Sequence, residues 1–317
     1  MSAIVFRYVY GPVPSRRLGH SLGIDLVPFK TCTYDCIYCQ QGRTTNKTIA
    51  RKEYVPVKEV LTELQEKLAL GKPPDHITIS GSGEPTLNTG IGDLIERIKG
   101  LTNIPVAVLT NGSLLWMSEV QDALMGADLV LPSLDAGDEP LFRHVNRPHP
   151  ELTFDGMVSG IAEFRERFQK PVWLEVFLLA GVTGILSEVE KVASIARRIR
   201  SQRVHLNTVT RPPSETYAFP VTTGTLEGFT PLFDPRAEVL ADFRTPGTPS
   251  AGAISTEDIL ALLSRRPCTI KDVAKGLFLH VIEATKQLEK LKASGEVVEV
   301  FLNGQRFYTA AGHETLW

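Results

Sequence analysis

Residues 32–39 read CTYDCIYC and hold three of the four cysteines of this 317-residue chain. A disulfide framework spreads and pairs its cysteines, so this clustering indicates a metal centre in a reducing compartment. Three thiolates can hold a cubane iron–sulfur cluster and leave one iron open to a small molecule. A structural zinc site is the alternative. It needs a fourth ligand, but Cys268 is remote and no histidine is near in the sequence.

Strand-like and helix-like segments alternate from about residue 20 to residue 210. Apolar residues at period two indicate strands, and apolar residues three or four apart indicate helices. Six units of this kind predict an α/β fold with a parallel sheet or a partial (β/α)6 barrel. The predicted strands are Ser21–Pro28, His76–Ser80, Val106–Thr110, Asp128–Leu134, Val172–Leu179 and Val204–Val209, and the predicted helices are Val57–Leu70, Asn88–Lys99, Ser113–Met125, Phe154–Phe168 and Ser187–Arg200.

Polar and small residues follow the first four predicted strands. The cysteines come after the first strand, Gly81–Pro85 after the second, Asn111–Gly112 after the third and Ser133–Asp135 after the fourth. In parallel barrels, reactive groups lie on the loops at the carboxyl ends of the strands. We therefore expect these segments to meet at one site.

The composition is that of an ordinary globular protein. Hydrophobic residues make up 43% and charged residues 22%, and a net charge of −2 gives no sign of a general polyanion binder. Residues 1–58 carry nine Lys or Arg against three acids, which indicates either a solvated basic edge or a site for an anionic substrate. The longest apolar run, near Val172–Val182, contains Glu175 and is too short to span a membrane, and no targeting signal is visible. These features predict a cytoplasmic protein.

The pattern changes after Val209. Seven prolines in residues 211–253 predict a strap, with a short helix at Arg236–Phe243 and a flexible linker near Thr245–Ala253. Helices are then predicted from Ser255, from Thr269 and over Leu279–Ser294, and the strands Val297–Leu302 and Gln305–Thr309 flank an Asn-Gly turn. This order predicts a winged helix-turn-helix domain. The chain divides into a barrel at 1–210, a strap and linker at 211–253 and a winged helix at 254–317.

The spacing C-x3-C-x2-C, with Tyr38 before the last cysteine, resembles the signature of the radical S-adenosylmethionine (SAM) superfamily. The resemblance implies that Cys32, Cys36 and Cys39 hold a [4Fe–4S] cluster whose open iron binds SAM, with Tyr38 near the adenine. Ser82-Gly83-Glu84-Pro85 is similar to the Gly-Gly-Glu-Pro motif that binds the SAM ammonium, with Ser82 in place of the first glycine. The strand-end residues Asn111, Ser133 and Asp135 resemble further SAM contacts of the superfamily.

Three stretches are similar to one branch of that superfamily, the wyosine tRNA synthase-like iron–sulfur oxidoreductases. They are Gly11–His20, Ser80–Thr86 and Ser133–Ala136. Wyosine synthases use additional N-terminal cysteines for a second cluster, and this chain has no cysteine before Cys32. The branch therefore implies the fold and the SAM site but not the substrate.

The resemblance implies an enzyme that cleaves SAM reductively to a 5′-deoxyadenosyl radical, which abstracts hydrogen from a substrate. The electron donor would be a protein such as flavodoxin or ferredoxin. A tRNA base, a peptide and a small molecule all remain open as substrates. Basic side chains suit a phosphate or carboxylate, and polar residues of the inner strands suit further contacts. The candidate substrate residues are Arg16, Arg17, Arg43, Arg147, Glu175, Asn207 and Arg211.

The C-terminal domain admits a second hypothesis, in which the cluster senses redox state or SAM and the winged helix binds DNA as a regulator. Residues 254–317 carry eight Lys or Arg against eight acids, a balance that is weak for DNA. Docking of a protein or peptide is the other predicted use of this domain. Cys268 is predicted to be a buried structural residue.

Overall fold

The computed structural model describes residues 6–70, 73–240, 256–277, 279–302 and 304–312. The strands are β1 Val9–Ser15, β2 Gly19–Asp25, β3 Thr31–Cys32, β4 Asn46–Lys47, β5 His76–Ser80, β6 Val106–Thr110, β7 Leu129–Pro132, β8 Trp173–Leu178, β9 Arg203–Thr208, β10 Glu238–Val239, β11 Val297–Leu302 and β12 Gln305–Ala310. The helices are α1 Val57–Ala69, α2 Ile91–Leu101, α3 Ser118–Leu124, α4 Glu139–Val145, α5 Phe154–Arg167, α6 Leu186–Ile199, α7 Thr223–Phe229, α8 Thr256–Leu263, α9 Ile270–Gly276 and α10 Val281–Ala293, with 3-10 turns at Pro85–Leu87 and Thr230–Leu232.

The predicted α/β fold is confirmed by six parallel strands with helices between them. One sheet has the order β1-β2-β5-β6-β7, in which only β1 is antiparallel to its neighbour. The other has the order β10-β9-β8 and is parallel throughout. Parallel bridges from Val130 to Val172 and from Ser133 to Glu175 join β7 to β8. All six strands therefore direct their carboxyl ends to one side.

Apolar periodicity explains why the helices cover the sheet. In α6 the buried residues Val189, Val192, Ala196 and Ile199 recur three or four positions apart, so one stripe of the helix faces the core. The helices α4 and α5 begin at side chains that accept backbone N–H groups, because such groups lack partners in the first turn.

Leu18, Ala107, Leu129 and Leu131 form a small apolar cluster that is separate from the main core, and Leu109 and Trp173 pack against it. Leu129 and Trp173 are the first residues of β7 and β8. His205 lies edge-on to Trp173, with the ring centroids 5.5 Å apart. Leu109 and Leu131 lie further along β6 and β7 and line the cavity of the candidate site.

Several sequence predictions need correction. The helix expected at Ser113–Met125 begins only at Ser118, because Asn111 Oδ1 accepts the backbone N–H of Ser113 and starts a turn. The helix expected at Arg236–Phe243 is wrong over its described part, where Glu238–Val239 pairs with β9. This strand has only two residues, too few to show the alternation of apolar and polar side chains that predicts a strand. The strands β1, β3, β4 and β10 and the helices α4 and α7 have no counterpart among the sequence predictions.

Residues 256–312 contain three helices and an antiparallel hairpin, here called the C-terminal module. Thr269 starts α9 with a capping box to Asp272, as its sequence predicts. Cys268 is fully buried among the apolar side chains of the module. Ser255 and the predicted linker Thr245–Ala253 lie outside the described residues, and assignment of the module as a winged helix stays a prediction. In the described part of the chain, no helix has the length and apolar character needed to cross a membrane.

Candidate active site

The cysteine loop lies over the carboxyl ends of β2 and β5. Asp35 fixes this loop, because its side chain accepts the backbone N–H of Thr44 at 2.7 Å and its own N–H donates to the carbonyl of Asn146 at 3.0 Å. Ile37 N–H donates to the carbonyl of Val145 in the same way. The loop is therefore held by residues far away in the sequence, and Cys32, Cys36 and Cys39 are all partly buried on it.

Each of the three thiol groups has a side-chain nitrogen donor. Lys30 Nζ lies 3.1 Å from Cys39 Sγ, Asn111 Nδ2 lies 3.6 Å from Cys32 Sγ, and Asn146 Nδ2 lies 3.5 Å from Cys36 Sγ. Such donors stabilise sulfur in its thiolate form. The donor set thus fits an iron–sulfur cluster, whose thiolate ligands and their hydrogen bonds set its stability and potential.

Burial opposes charge on these sulfurs. Burial, with Glu84 nearby, raises the pKa of the Cys32 thiol to about 11. The thiolates consequently need nearby positive charge, which a cluster supplies. Among the described residues, no three His, Cys, Asp or Glu side chains form a group able to hold a metal ion. In a cubane cluster each thiolate binds a different iron, so the cysteines need not converge on one point. The four ligands of the tetrahedral zinc site considered above must do so.

Lys30 is buried next to the cysteines and was not predicted from the sequence. Only 2% of its surface is exposed, and its φ of 57° places it in the left-handed region. Burial by itself lowers the pKa of Lys30, but Cys39 and Cys32 more than offset this effect and raise the pKa above its ordinary value. The side chain therefore stays charged beside Cys39.

The loop after β5 is packed too tightly for larger residues. A Cβ at Gly83 would lie 1.8 Å from the carbonyl oxygen of Thr31, and a Cβ at Gly81 would lie 1.8 Å from Asp25 Oδ1. Ser82 turns away from the cysteines, and its N–H and hydroxyl both donate to Asp25 Oδ1. Ser82 therefore fixes the loop.

Glu84 is 1% exposed and accepts four hydrogen bonds, from Thr86 N and Oγ1, Thr110 Oγ1 and Asn111 N. Three of them go to Oε1, and Asn111 N donates to Oε2. Burial raises the pKa of Glu84 although all four donors favour the carboxylate. Oε2 keeps capacity for a further donor, such as an ammonium group.

Tyr38 is held by two contacts. Its ring stacks on Phe177 with centroids 4.0 Å apart, and its hydroxyl donates to Asp135 Oδ2. Asp135 also accepts from Asn146 Nδ2 at 2.8 Å and from Phe177 N at 3.1 Å. Asp135 thus positions Tyr38 and Asn146, and its carboxylate does not line the cavity described next.

A cavity of about 410 Å³ brings most of the candidate residues together. Pockets of this size suit small ligands. Cys36, Ser82, Asp135, Arg43 and Arg147 are the candidates that do not line it. Those that do are Arg16, Arg17, Cys32, Tyr38, Cys39, Gly83, Glu84, Asn111, Ser133, Glu175, Asn207 and Arg211.

Arg43 and Arg147 lie elsewhere, in an ion-pair network on the outer side of the cysteine loop. Both contact Glu215 Oε1, at 2.7 Å and 2.6 Å, and Arg43 Nη2 lies 3.0 Å from Asp35. Their charges are thus compensated by acids that the sequence places up to 172 residues away. Inside the cavity, Arg17 pairs with Glu175, which also accepts from Asn207 Nδ2 at 3.2 Å.

Arg265 and Arg266 of the C-terminal module also line the cavity, and the sequence analysis did not include them among the candidates. The adjacent pair of arginines was visible in the sequence, but nothing local places it beside the cysteine loop. Lys30 had a better signal, since it lies only two positions before Cys32 in the sequence.

Comparisons with known proteins agree with this geometry. The family model described as "Radical SAM superfamily" matches residues 26–196, more than half of the chain. A UPF0026 protein from Methanocaldococcus jannaschii is 32% identical over 306 residues, covering 94% of each chain. A protein named GTPase Obg from Brachyspira hyodysenteriae is 40% identical over 97% of this chain, which spans only 46% of that relative's length.

The solved structure of native anSMEcpe with bound AdoMet has a similar fold, with a TM-score of 0.50 and 16% identity over 83% of this chain and 79% of that one. The region matched by the family model, residues 26–196, includes the cysteine loop and strands β5 to β8. The chain belongs to the radical SAM superfamily, whose enzymes use a [4Fe–4S] cluster and S-adenosylmethionine.

Proposed function

We propose that this enzyme cleaves SAM reductively and directs the resulting radical at an anionic substrate in the cavity. The observation that carries the proposal is that Cys32, Cys39, Glu84 and several arginines line one 410 Å³ cavity. When bound, the cluster and SAM supply an electron and a 5′-deoxyadenosyl radical for hydrogen abstraction. The fold that presents these groups is, in this proposal, a partial (β/α)6 barrel.

The residues of the chain have distinct roles in this proposal. Cys32, Cys36 and Cys39 hold the cluster, and their nitrogen donors keep the sulfurs as thiolates. Glu84 accepts the SAM ammonium with Oε2. Tyr38, fixed by Asp135 and Phe177, packs against the adenine, while Gly83, Asn111 and Ser133 contact SAM from neighbouring strand ends.

The polar groups opposite the cysteines suit the substrate. Arg17, Glu175 and Asn207 form one connected set on β8, β9 and the β1–β2 turn. Arg16 and Arg211 add positive charge on the same side of the cavity. A substrate carrying phosphate or carboxylate would be held here while the group that loses hydrogen faces the cysteine loop.

Other parts of the proposal rest on the sequence alone. A flavodoxin or ferredoxin is the proposed electron donor, and the wyosine-like branch stays a prediction. Residues 1–210 are proposed as the catalytic domain, 211–253 as a strap and linker, and 254–317 as a winged helix. The relatives and the solved structure named above give no support to the alternative of a DNA-binding regulator.

The test is anaerobic reconstitution with iron and sulfide, reduction, addition of SAM, and measurement of 5′-deoxyadenosine. We expect the product from the unchanged enzyme and none from Cys36→Ala. Cys268→Ala is the matched control, because Cys268 is buried in the C-terminal module and should leave the cluster intact. An enzyme that binds its cluster and SAM but never yields 5′-deoxyadenosine, even with cell extract, would contradict the proposal.

A further inference from the structure

The C-terminal module covers the cavity of the α/β domain. Val13 of β1 packs into the apolar core of the module, and Lys67 of α1 lies 3.4 Å from Asp258 of α8. Leu262, Arg265 and Arg266 then complete the cavity wall on the side of β1. The module is thus part of the candidate active site and not a separate unit beside it.

Arg265 anchors the module. Its Nε lies 3.0 Å from Asp25 Oδ2, its guanidinium stacks over the ring of Tyr10 at 4.2 Å, and its Nη1 donates to the carbonyl of Ala261. Asp25 and Arg265 side chains are only 10% and 12% exposed. These contacts engage the guanidinium group of Arg265, so few of its N–H groups remain to bind a ligand.

Arg266 has a different environment. It lines the cavity and is partly buried, and no carboxylate of the described residues pairs with it. Arg211 faces the same space and is 7% exposed. Its Nη1 donates to Gln40 at 3.2 Å, its Nη2 lies 3.8 Å from Asp272, and its Nε is buried with no hydrogen-bond partner among the described residues.

Arg211, Arg266 and Arg16 are close enough to repel each other. Burial, followed by the charge of Arg266 and that of Arg16, lowers the pKa of Arg211 to about 10, although Asp272 opposes the shift. Five arginines line the cavity in all, whereas its acidic residues are Glu84 and Glu175. Glu175 pairs with Arg17, and Glu84 accepts four hydrogen bonds from uncharged groups. Positively charged side chains thus outnumber acidic ones in the cavity lining, and Arg211 and Arg266 face the cavity from the side of the module.

We propose that Arg211 and Arg266 bind a phosphate group of the substrate, so that the C-terminal module supplies part of the substrate site. This inference rests on the proposed function and narrows the substrate to a phosphate-bearing molecule. Guanidinium groups bind phosphate through paired hydrogen bonds. A multiply charged anion neutralises several clustered arginines at once, which a single carboxylate does not.

The test is binding of inorganic pyrophosphate to the full-length protein with its oxidised cluster, measured by titration calorimetry. We expect pyrophosphate to bind, more weakly as sodium chloride is added, and succinate to bind at least tenfold more weakly. Arg266→Gln should weaken pyrophosphate binding at least tenfold. Arg198→Gln, which removes an exposed arginine of α6, is the control and should bind like the unchanged protein.

Thermal unfolding of both variants separates a lost ligand contact from a lost fold, since Arg266 is only partly buried. Failure of the unchanged protein to bind pyrophosphate, equal binding of succinate, or unchanged affinity in Arg266→Gln would each overturn the inference. These measurements need no reduction and no SAM. Formation of 5′-deoxyadenosine without pyrophosphate binding would therefore reject this inference and leave the proposed function standing.

Discussion

Arg265 and Asp25 form a buried ion pair between residues 240 positions apart in the sequence. Asp25 ends β2, and its other oxygen accepts both the N–H and the hydroxyl of Ser82. A single carboxylate thus connects the C-terminal module to the loop that carries Gly83 and Glu84. Changes in the module should therefore reach the candidate SAM site.

Removing one partner of this pair should destabilise the protein strongly. Arg265→Gln leaves Asp25 as an uncompensated buried charge, which costs roughly 3–5 kcal/mol. We expect a lower urea midpoint, and we expect the double variant Arg265→Gln/Asp25→Asn to lose less than the sum of the two single changes. Arg97→Gln breaks an exposed pair on α2 and serves as the control. Additive single changes would show that the pair is not coupled.

Glu84→Gln should weaken SAM binding at least tenfold. The change removes the charge that Glu84 Oε2 would offer to the SAM ammonium, and a hydrogen bond to a charged group contributes about 1.5–3 kcal/mol. Equilibrium dialysis with labelled SAM on the reconstituted protein measures the loss. Ser82→Ala is the comparison, because Ser82 contacts Asp25 and lies outside the cavity lining, so its effect should be smaller.

Lys30→Met should make the cluster harder to reduce. The Lys30 ammonium lies 3.1 Å from Cys39 Sγ in a buried setting, and it favours the state with more negative charge. We expect the reduction potential to fall by on the order of 100 mV, measured by redox titration followed spectroscopically. Lys47→Met is the matched control, because Lys47 Nζ binds the carbonyl of Arg147 instead. An unchanged potential in Lys30→Met would show that its charge is screened from the cluster.

The fold was largely predictable, because strand periodicity and glycine-rich strand ends are local features. The segments His76–Ser80 and Val106–Thr110 were predicted with the bounds that the structure has. The roles of Arg43 and Arg266 were not predictable. Their surroundings depend on Glu215 and Arg211, which only the tertiary packing brings near. Sequence analysis thus identified the types of residue needed at the site but not which arginines enter it.

Acid should destabilise the protein through His205. Burial, followed by the charges of Arg17 and Arg203, lowers the pKa of His205 from 6.5 to about 4, and its Nδ1 is buried with no hydrogen-bond partner in the part of the chain that the structure describes. The unfolded chain binds a proton as the pH falls through 6.5 and the folded chain does not until about pH 4. Stability is therefore full above pH 6.5 and falls by about 3 kcal/mol on the way to pH 4.

The check is urea unfolding at several pH values between 4 and 7.5. His205→Phe should flatten the pH dependence, because Phe cannot take up a proton next to Trp173. Glu175, the register partner of His205, pairs with Arg17. His144→Gln changes an exposed histidine and should keep the original profile. A profile that His205→Phe leaves unchanged would assign the acid sensitivity to another group.

The Arg265–Asp25 pair also bears on how well the cavity is shielded. Leu262, Arg265 and Arg266 form the cavity wall on the side of β1, and the pair holds the module over that side. Arg16 Nη1 donates to the carbonyl of Leu240 and so joins the turn after β1 to the residue that follows β10. A change that loosens the pair would admit bulk water on the side of β1, where a reactive radical would be lost to it.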